Sequence, residues 1–203
     1  MKESKCKNMF SIILIAVILL ISIAISDRIL LNSYGQTLDK TYTNQRCGIS
    51  IQYPSDWKSE DYTSDDGPGH VINYIVEFQP NNSEGFNNVV GIELNDISTL
   101  SDKSFAGVKD FERSSLSDDQ QSLLVRVEKL ETTKIAGYPA EKIVYNELIS
   151  GDKKMDIFTV AFDREYKITY DASSEYYDKY LSTVDKMIQT FTINQPTFEG
   201  INC

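Results

Sequence analysis

The chain has one histidine, His70, and it closes the segment Asp65-Asp66-Gly67-Pro68-Gly69-His70, with Asp61 shortly before it. Two chemistries could use such a set. A Ser-His-Asp relay would have to run through this imidazole. No GxSxG elbow presents a nucleophile to it, and the glycines and proline around it describe an exposed loop rather than a held base. A metal could take carboxylate oxygens from Asp61, Asp65 and Asp66 and the imidazole nitrogen of His70. The spacing is not that of a calcium loop, which sets acids at alternate positions around a glycine and ends on a distal glutamate. The plainer reading is a solvated acidic loop. A glycosidase needs two carboxylates across one cleft, and with 30 acidic residues in the chain nothing singles out a pair. Nor is there a glycine-rich phosphate loop. The expectation is therefore a protein without catalytic, cofactor-binding or metal-ligating residues.

Two other residue sets carry covalent chemistry. Cys47 and Cys203 flank the patterned part of the chain. Their spacing is neither a metal knuckle nor a redox CxxC. A disulfide between them would staple the two ends of one domain. The alternatives are two free thiols, or one thiol bridged to another chain. Asn81-Asn82-Ser83 is an N-glycosylation sequon, with Asn81 the acceptor, in a segment whose composition predicts a turn.

The elements that must position these residues are legible from periodicity. Ile49, Ile51 and Tyr53 alternate with polar residues and stop at Pro54, a half-buried strand. Val71–Phe78 and Val89–Asn95 are read as further strands, the first with Ile72, Tyr74, Val76 and Phe78 on one face. In Ser101–Leu116 the period becomes helical, with Phe105, Val108, Phe111 and Leu116 as the apolar positions and Ser101 or a neighbouring hydroxyl as cap. Four strands follow within Leu123–Tyr170, joined by short links, which demands an antiparallel meander. Tyr177, Tyr180, Leu181, Val184, Ile188 and Phe191 then mark an amphipathic helix capped by Ser173 or Ser174. Strands, helix, meander, helix predict an α+β domain with helices packed on a mostly antiparallel sheet.

The run Met9–Ile25 carries no charge and follows Lys2, Lys5 and Lys7. Extended through Leu31 it suffices for one transmembrane helix, with the amino terminus in the cytoplasm and the rest outside. Ala24-Ile25-Ser26 also offers small residues to a signal peptidase, and cleavage there would release a secreted domain. The formal net charge is −10, and residues 1–7 are net positive, so the outer part is more acidic than the whole. That charge argues against nucleic acid and against direct adhesion to anionic lipid. The expected organisation is a cytoplasmic terminus 1–8, an anchor or signal segment 9–31, a polar linker 32–46, a domain 47–193 and a patternless tail 194–203.

Particular residues carry a family resemblance: the opening Gly48-Ile49-Ser50-Ile51-Gln52-Tyr53-Pro54-Ser55-Asp56-Trp57, the central Ile135-Ala136-Gly137-Tyr138-Pro139-Ala140, and the strand Tyr166–Tyr170 before the last helix. These resemble the PsbP family, most of all its stand-alone domains placed behind a single amino-terminal apolar segment in some archaea and bacteria. The resemblance implies an α/β/α sandwich, the fold shared with a small Ran-binding nuclear transport factor of yeast. Pro54, Trp57, Gly137 and Pro139 each have an architectural reason to be there, so the motifs report the fold. No family binding residue maps onto a position of this chain, and the photosynthetic role of the plant proteins is not implied. The expected function is a non-enzymatic, membrane-tethered extracytoplasmic domain that binds a protein partner as an accessory subunit of a membrane complex. The alternative is a domain binding a ligand or divalent cation through its acidic loop.

Overall fold

The computed structural model describes residues 36–63, 74–81 and 88–197. Met9–Ile25, Asp65, Asp66, His70 and Cys203 lie outside the described residues. No helix among the described residues is long and apolar enough to cross a membrane.

The described residues form ten strands and two helices: β1 (Lys40–Asn44), β2 (Ile49–Tyr53), β3 (Trp57–Asp61), β4 (Tyr74–Pro80), β5 (Val89–Asp96), α1 (Phe105–Gln121), β6 (Val125–Ile135), β7 (Tyr138–Glu147), β8 (Asp152–Ala161), β9 (Arg164–Ser173), α2 (Ser174–Thr190) and β10 (Thr192–Ile193). Seven strands form one sheet in the order β3-β4-β5-β9-β8-β7-β6, and every pairing in it is antiparallel. The expected meander is its β6–β9 half. A second sheet, β1-β2-β10, places β2 at the centre. Helix α2 packs on β9, β8 and β2, and α1 packs on β6, β7 and β8.

Alternation along the strands divides the large sheet into two unlike faces. One bears Val76, Phe78, Val90, Ile92, Met155, Ile157, Ile168 and Tyr170, which form the main core with Tyr177, Tyr180, Val184 and Met187 of α2 and Ile49 and Ile51 of β2. Trp57 closes one end of this core, edge-on to Tyr180 at 5.8 Å between ring centroids, and its indole Nε1 donates to Gln36 Oε1 at 2.7 Å. The other face is poorer in apolar residues. Its core is Ile97, Val108, Ile143 and Phe158, with Phe105, Leu116 and Val127 packed around it.

Four sequence expectations change. The segment read as a polar linker contains β1, paired with β2 from Lys40↔Tyr53 to Asn44↔Ile49. Its inward residues, Tyr42 and Asn44, are polar enough to hide the strand period, and the domain begins by Gln36. The tail is likewise not patternless at its start. Asn194 N donates to Gly48 O at 2.7 Å and Thr197 N to Gln45 O at 3.3 Å, continuing the line set by β10 against β2. A bulge between Tyr74 and Val76 turns Tyr74 to the opposite face from Val76, where it pairs with Glu93. The caps also move. Ser104 caps α1, its side chain accepting from Gly107 N. Ser173 holds the N-cap position of α2 without a side-chain bond, and the Ser174 hydroxyl donates to Gly151 O instead.

Candidate functional site

Beneath α1 the sheet carries charge where a core would ordinarily be apolar. Lys167 and Glu165 point to this face from β9. Across the pairing with β5, Glu93 lies opposite Lys167 and Asn95 opposite Glu165. On the other side, β8 sets Phe158 opposite Lys167 and Asp156 opposite Thr169. From above, Glu112 of α1 accepts a hydrogen bond from Lys167 Nζ at 2.8 Å. Tyr145 of β7 donates its hydroxyl to Asp156 Oδ2 at 3.0 Å, and Asn95 Nδ2 donates to Glu165 Oε2 at 3.0 Å. Four carboxylates thus share the surroundings of one ammonium.

Glu165 is the extreme member. It is 3% exposed, and its Oε1 is buried and receives no hydrogen bond among the described residues. Burial pushes its carboxyl up to about 7; Lys167 opposes the rise, and Glu112 and Glu93 add to it. Burial likewise lifts Asp156 to about 6, against Lys167 and the Tyr145 hydrogen bond. Glu93 is raised for the same first reason. For Lys167, burial favours the neutral amine, but Glu165, Glu112 and Asp156 outweigh it and hold the ammonium. Charged groups buried without full pairing are costly, and their protons are bound more tightly or less tightly in consequence.

A second ion pair sits beside the first. Glu141 of β7 is fully buried, and Arg113 grips it with Nε at 2.6 Å and Nη2 at 2.7 Å. These two pairs set the rotation of α1. Glu112 reaches Lys167 and Arg113 reaches Glu141, so Phe111, expected on the inner face, is turned out and is half exposed. The helix lies on the sheet through Phe105, Val108, Glu112 and Leu116. Sequence reasoning missed the cluster because Asp163-Arg164-Glu165 reads as a connection and Tyr166–Tyr170 as an ordinary strand with one wet face. The one signal was α1 itself, whose apolar stripe is too thin to cover a sheet alone.

Chemically, the cluster can hold and release protons near neutrality. It is packed beneath α1, and two surface clefts of the domain are lined by other residues. One cleft, about 490 Å³, lies beside β3 and is lined by Lys40, Trp57, Lys58, Glu60, Glu77 and Asn81. The other, about 430 Å³, lies between the end of β6 and α2, with Lys134, Lys142, Ile157, Asp185 and Ile188 on its walls. Among the described residues no three His, Cys, Asp or Glu side chains converge to hold a metal ion.

Of the residues singled out from sequence, Asp61, Asn81 and Cys47 are described, and they lie at separate places in the fold. Asp61 ends β3, where its Oδ2 accepts from the Tyr42 hydroxyl at 2.7 Å and its Oδ1 from Thr63 N and Oγ1. It is engaged within the fold, and Asp65, Asp66 and His70 are outside the described residues. Asn81 is exposed in the turn after β4, with its backbone N–H on Asp56 O at 3.2 Å. Cys47 is wholly buried at the start of β2, and the Tyr166 hydroxyl donates to its carbonyl at 3.3 Å.

A continuous antiparallel sheet with α2 and the small sheet on one face and α1 on the other defines an α+β sandwich of three layers. Residues 12–193 match the family described as PsbP-like protein, and the chain belongs to that family. Among solved structures it is similar to cyanobacterial PsbP (CyanoP) from Synechocystis, at 15% identity and a TM-score of 0.57, over 76% of this chain and 92% of that one. It is similar also to the Ran-binding protein Mog1p of Saccharomyces cerevisiae, at 10% identity and a TM-score of 0.52, over 82% of this chain and all of that one. At these identities the likeness speaks for the fold alone. No curated protein matches the chain.

Proposed function

We propose that the chain is a non-enzymatic PsbP-like domain, tethered to a membrane by its amino-terminal segment and held outside the cell membrane, where it binds a protein partner as an accessory subunit of a membrane complex. The observation that carries this reading is a PsbP-like match spanning residues 12–193, in a chain whose apolar run Met9–Ile25 follows three lysines. One similar structure is that of the Ran-binding protein Mog1p, so the fold is compatible with protein recognition. The charged cluster supports the non-enzymatic reading because it is packed beneath α1, with Glu165 buried.

Gentle solubilisation from the native membrane, followed by affinity purification of the full chain, should recover a stoichiometric protein partner. A lone monomer whose melting temperature rises with added divalent cation would support the ligand-binding alternative instead. Protease applied to intact cells should remove the domain and leave a short amino-terminal fragment in the membrane. Mature protein beginning at Asp27 would make the product secreted.

We also propose the Cys47–Cys203 disulfide. Cys47 is buried in the turn between Gln45 and Gly48, the residues that Thr197 and Asn194 bond; Thr197 is six residues before Cys203, and the outer side of a membrane lets a disulfide persist. Non-reducing peptide mapping should find the two cysteines in one linked fragment. Free alkylation of both thiols without reduction would show that the bridge does not form.

A further inference from the structure

One end of the large sheet gathers four exposed aliphatic side chains from two separate connections. Leu123 and Leu124 lie in the link from α1 to β6, and Leu148 and Ile149 in the turn from β7 to β8. Leu123 is 75% and Ile149 83% exposed, with Leu124 and Leu148 close to half exposed. Leu148 N donates to Leu124 O at 2.8 Å, which fixes the two connections side by side.

Local chemistry at this spot runs against stability twice. Leu124 N bonds Asp119 O at 2.9 Å and Leu123 N bonds Gln120 O at 3.1 Å, the paired bonds that close a helix with its next residue in the left-handed region. That residue is Leu123, at φ +56°, where glycine or asparagine is the usual choice. The last turn of α1 also has no basic residue. It carries Asp118 and Asp119, both exposed, against the negative end of the helix dipole. Local rules broken together at one place are a mark of function rather than of folding. The nearby cations are held elsewhere: Lys153 by Glu128, and Lys154 by Glu147 and Asp171. Arg126 neighbours Glu128 on its own strand.

We propose that Leu123, Leu124, Leu148 and Ile149 form the docking knob for a protein partner whose surface is an apolar groove rimmed by lysine or arginine. The inference rests on the partner-binding reading above and adds the surface and the chemistry of its occupant. Charge chooses among occupants. A second copy meeting this face symmetrically would set Asp118 and Asp119 against each other. An anionic bilayer would repel the same two carboxylates. A basic rim complements them, and four clustered aliphatics suit the buried centre of an interface.

The test uses the full chain in phosphatidylcholine nanodiscs, with labelled leucine and isoleucine methyl groups. The probe is an amphipathic helical peptide of leucine and lysine, with a leucine–glutamate peptide as control. The lysine peptide should shift the methyl resonances of Leu123, Leu124, Leu148 and Ile149, and the glutamate peptide should not. Ile149→Ser should weaken binding about tenfold, and Asp118→Asn with Asp119→Asn should weaken it several-fold and flatten its salt dependence. Leu123→Gly should weaken binding while leaving Tm unchanged or raised, which separates docking from a structural role. Equal shifts by both peptides, shifts confined to other methyl groups, no shifts, or self-association abolished by Ile149→Ser would each overturn the knob. Recovery of a native stoichiometric partner undiminished by Ile149→Ser would sink this inference and leave the partner-binding reading standing.

Discussion

Gly48→Ala should destabilise the domain by about 3 kcal/mol or more, a fall in Tm of roughly 6–12 °C for a chain of this size. Two causes add. Gly48 has φ +72°, where an L side chain costs about 1–2 kcal/mol. An added Cβ would also lie 2.2 Å from the carbonyl oxygen of Asn194 and 3.1 Å from Pro196 N. Both neighbours are backbone and cannot swing aside. The displaced group is the one that anchors the end of the chain, since Asn194 N donates to Gly48 O. Gly137→Ala is the control. Its φ is +86° but nothing lies within 4 Å of the added atom, so only the backbone cost of about 1 kcal/mol applies. Thermal melts of the two variants check the difference. Equal losses would mean that the Asn194 contact does not constrain the fold.

Glu165→Gln should stabilise the protein increasingly as pH rises from about 4 to 7, and fully above that. A carboxyl unfolded at about 4.3 and raised by burial to about 7 in the fold contributes stability that is fully present below about pH 4. That contribution is lost as pH rises through 7. At pH 8 the parent therefore carries a buried anion facing Glu93 and Glu112, whereas glutamine stays neutral and can still accept from Asn95. The variant should be more stable by about 3 kcal/mol at pH 8, roughly 6–12 °C in Tm, by about 1 kcal/mol at pH 5, and nearly equal to the parent at about pH 4. Melts across that range give the answer. A constant offset at all pH values would show that packing, not ionisation, separates the two proteins.

Much of the main layer was legible because its residues obey a period. Ile49-Ile51-Tyr53 and Val90-Ile92-Leu94 alternate cleanly, and α2 presents an apolar stripe too strong to misread. The short links Ala136-Gly137-Tyr138-Pro139, Ser150-Gly151-Asp152 and Asp163-Arg164-Glu165 left no topology but a meander for the strands now seen as β6 to β9. Illegibility came from three physical sources. Strand β1 is half polar, and only its partner β2 makes it a strand. The bulge at Ile75 shifts a face by one residue, which no alternation rule foresees. Helix α1 is oriented by Lys167–Glu112 and Glu141–Arg113, pairs whose partners lie 55 and 28 residues apart, so Phe111 could not be known to face outward. The candidate cluster was hidden for the same reason: its members come from β5, α1, β8 and β9 and look like unrelated surface charges until the sheet aligns them.

The strand order of the small sheet imposes a timetable on biosynthesis. Strand β2 is central, yet one of its neighbours, β10, is encoded at residues 192–193, after every other strand and both helices. As the chain emerges, β2 can pair with β1 at once but must wait with its second edge bare until nearly the whole domain has been made. Closing so distant a contact is the slow kind of step in folding, and an unpaired strand edge is the kind of surface that chaperones guard and aggregates exploit. A product that stops short of Thr192 would keep its seven-stranded sheet in sequence yet present β2 permanently open, so pairing of β10 is the step that completes the small sheet.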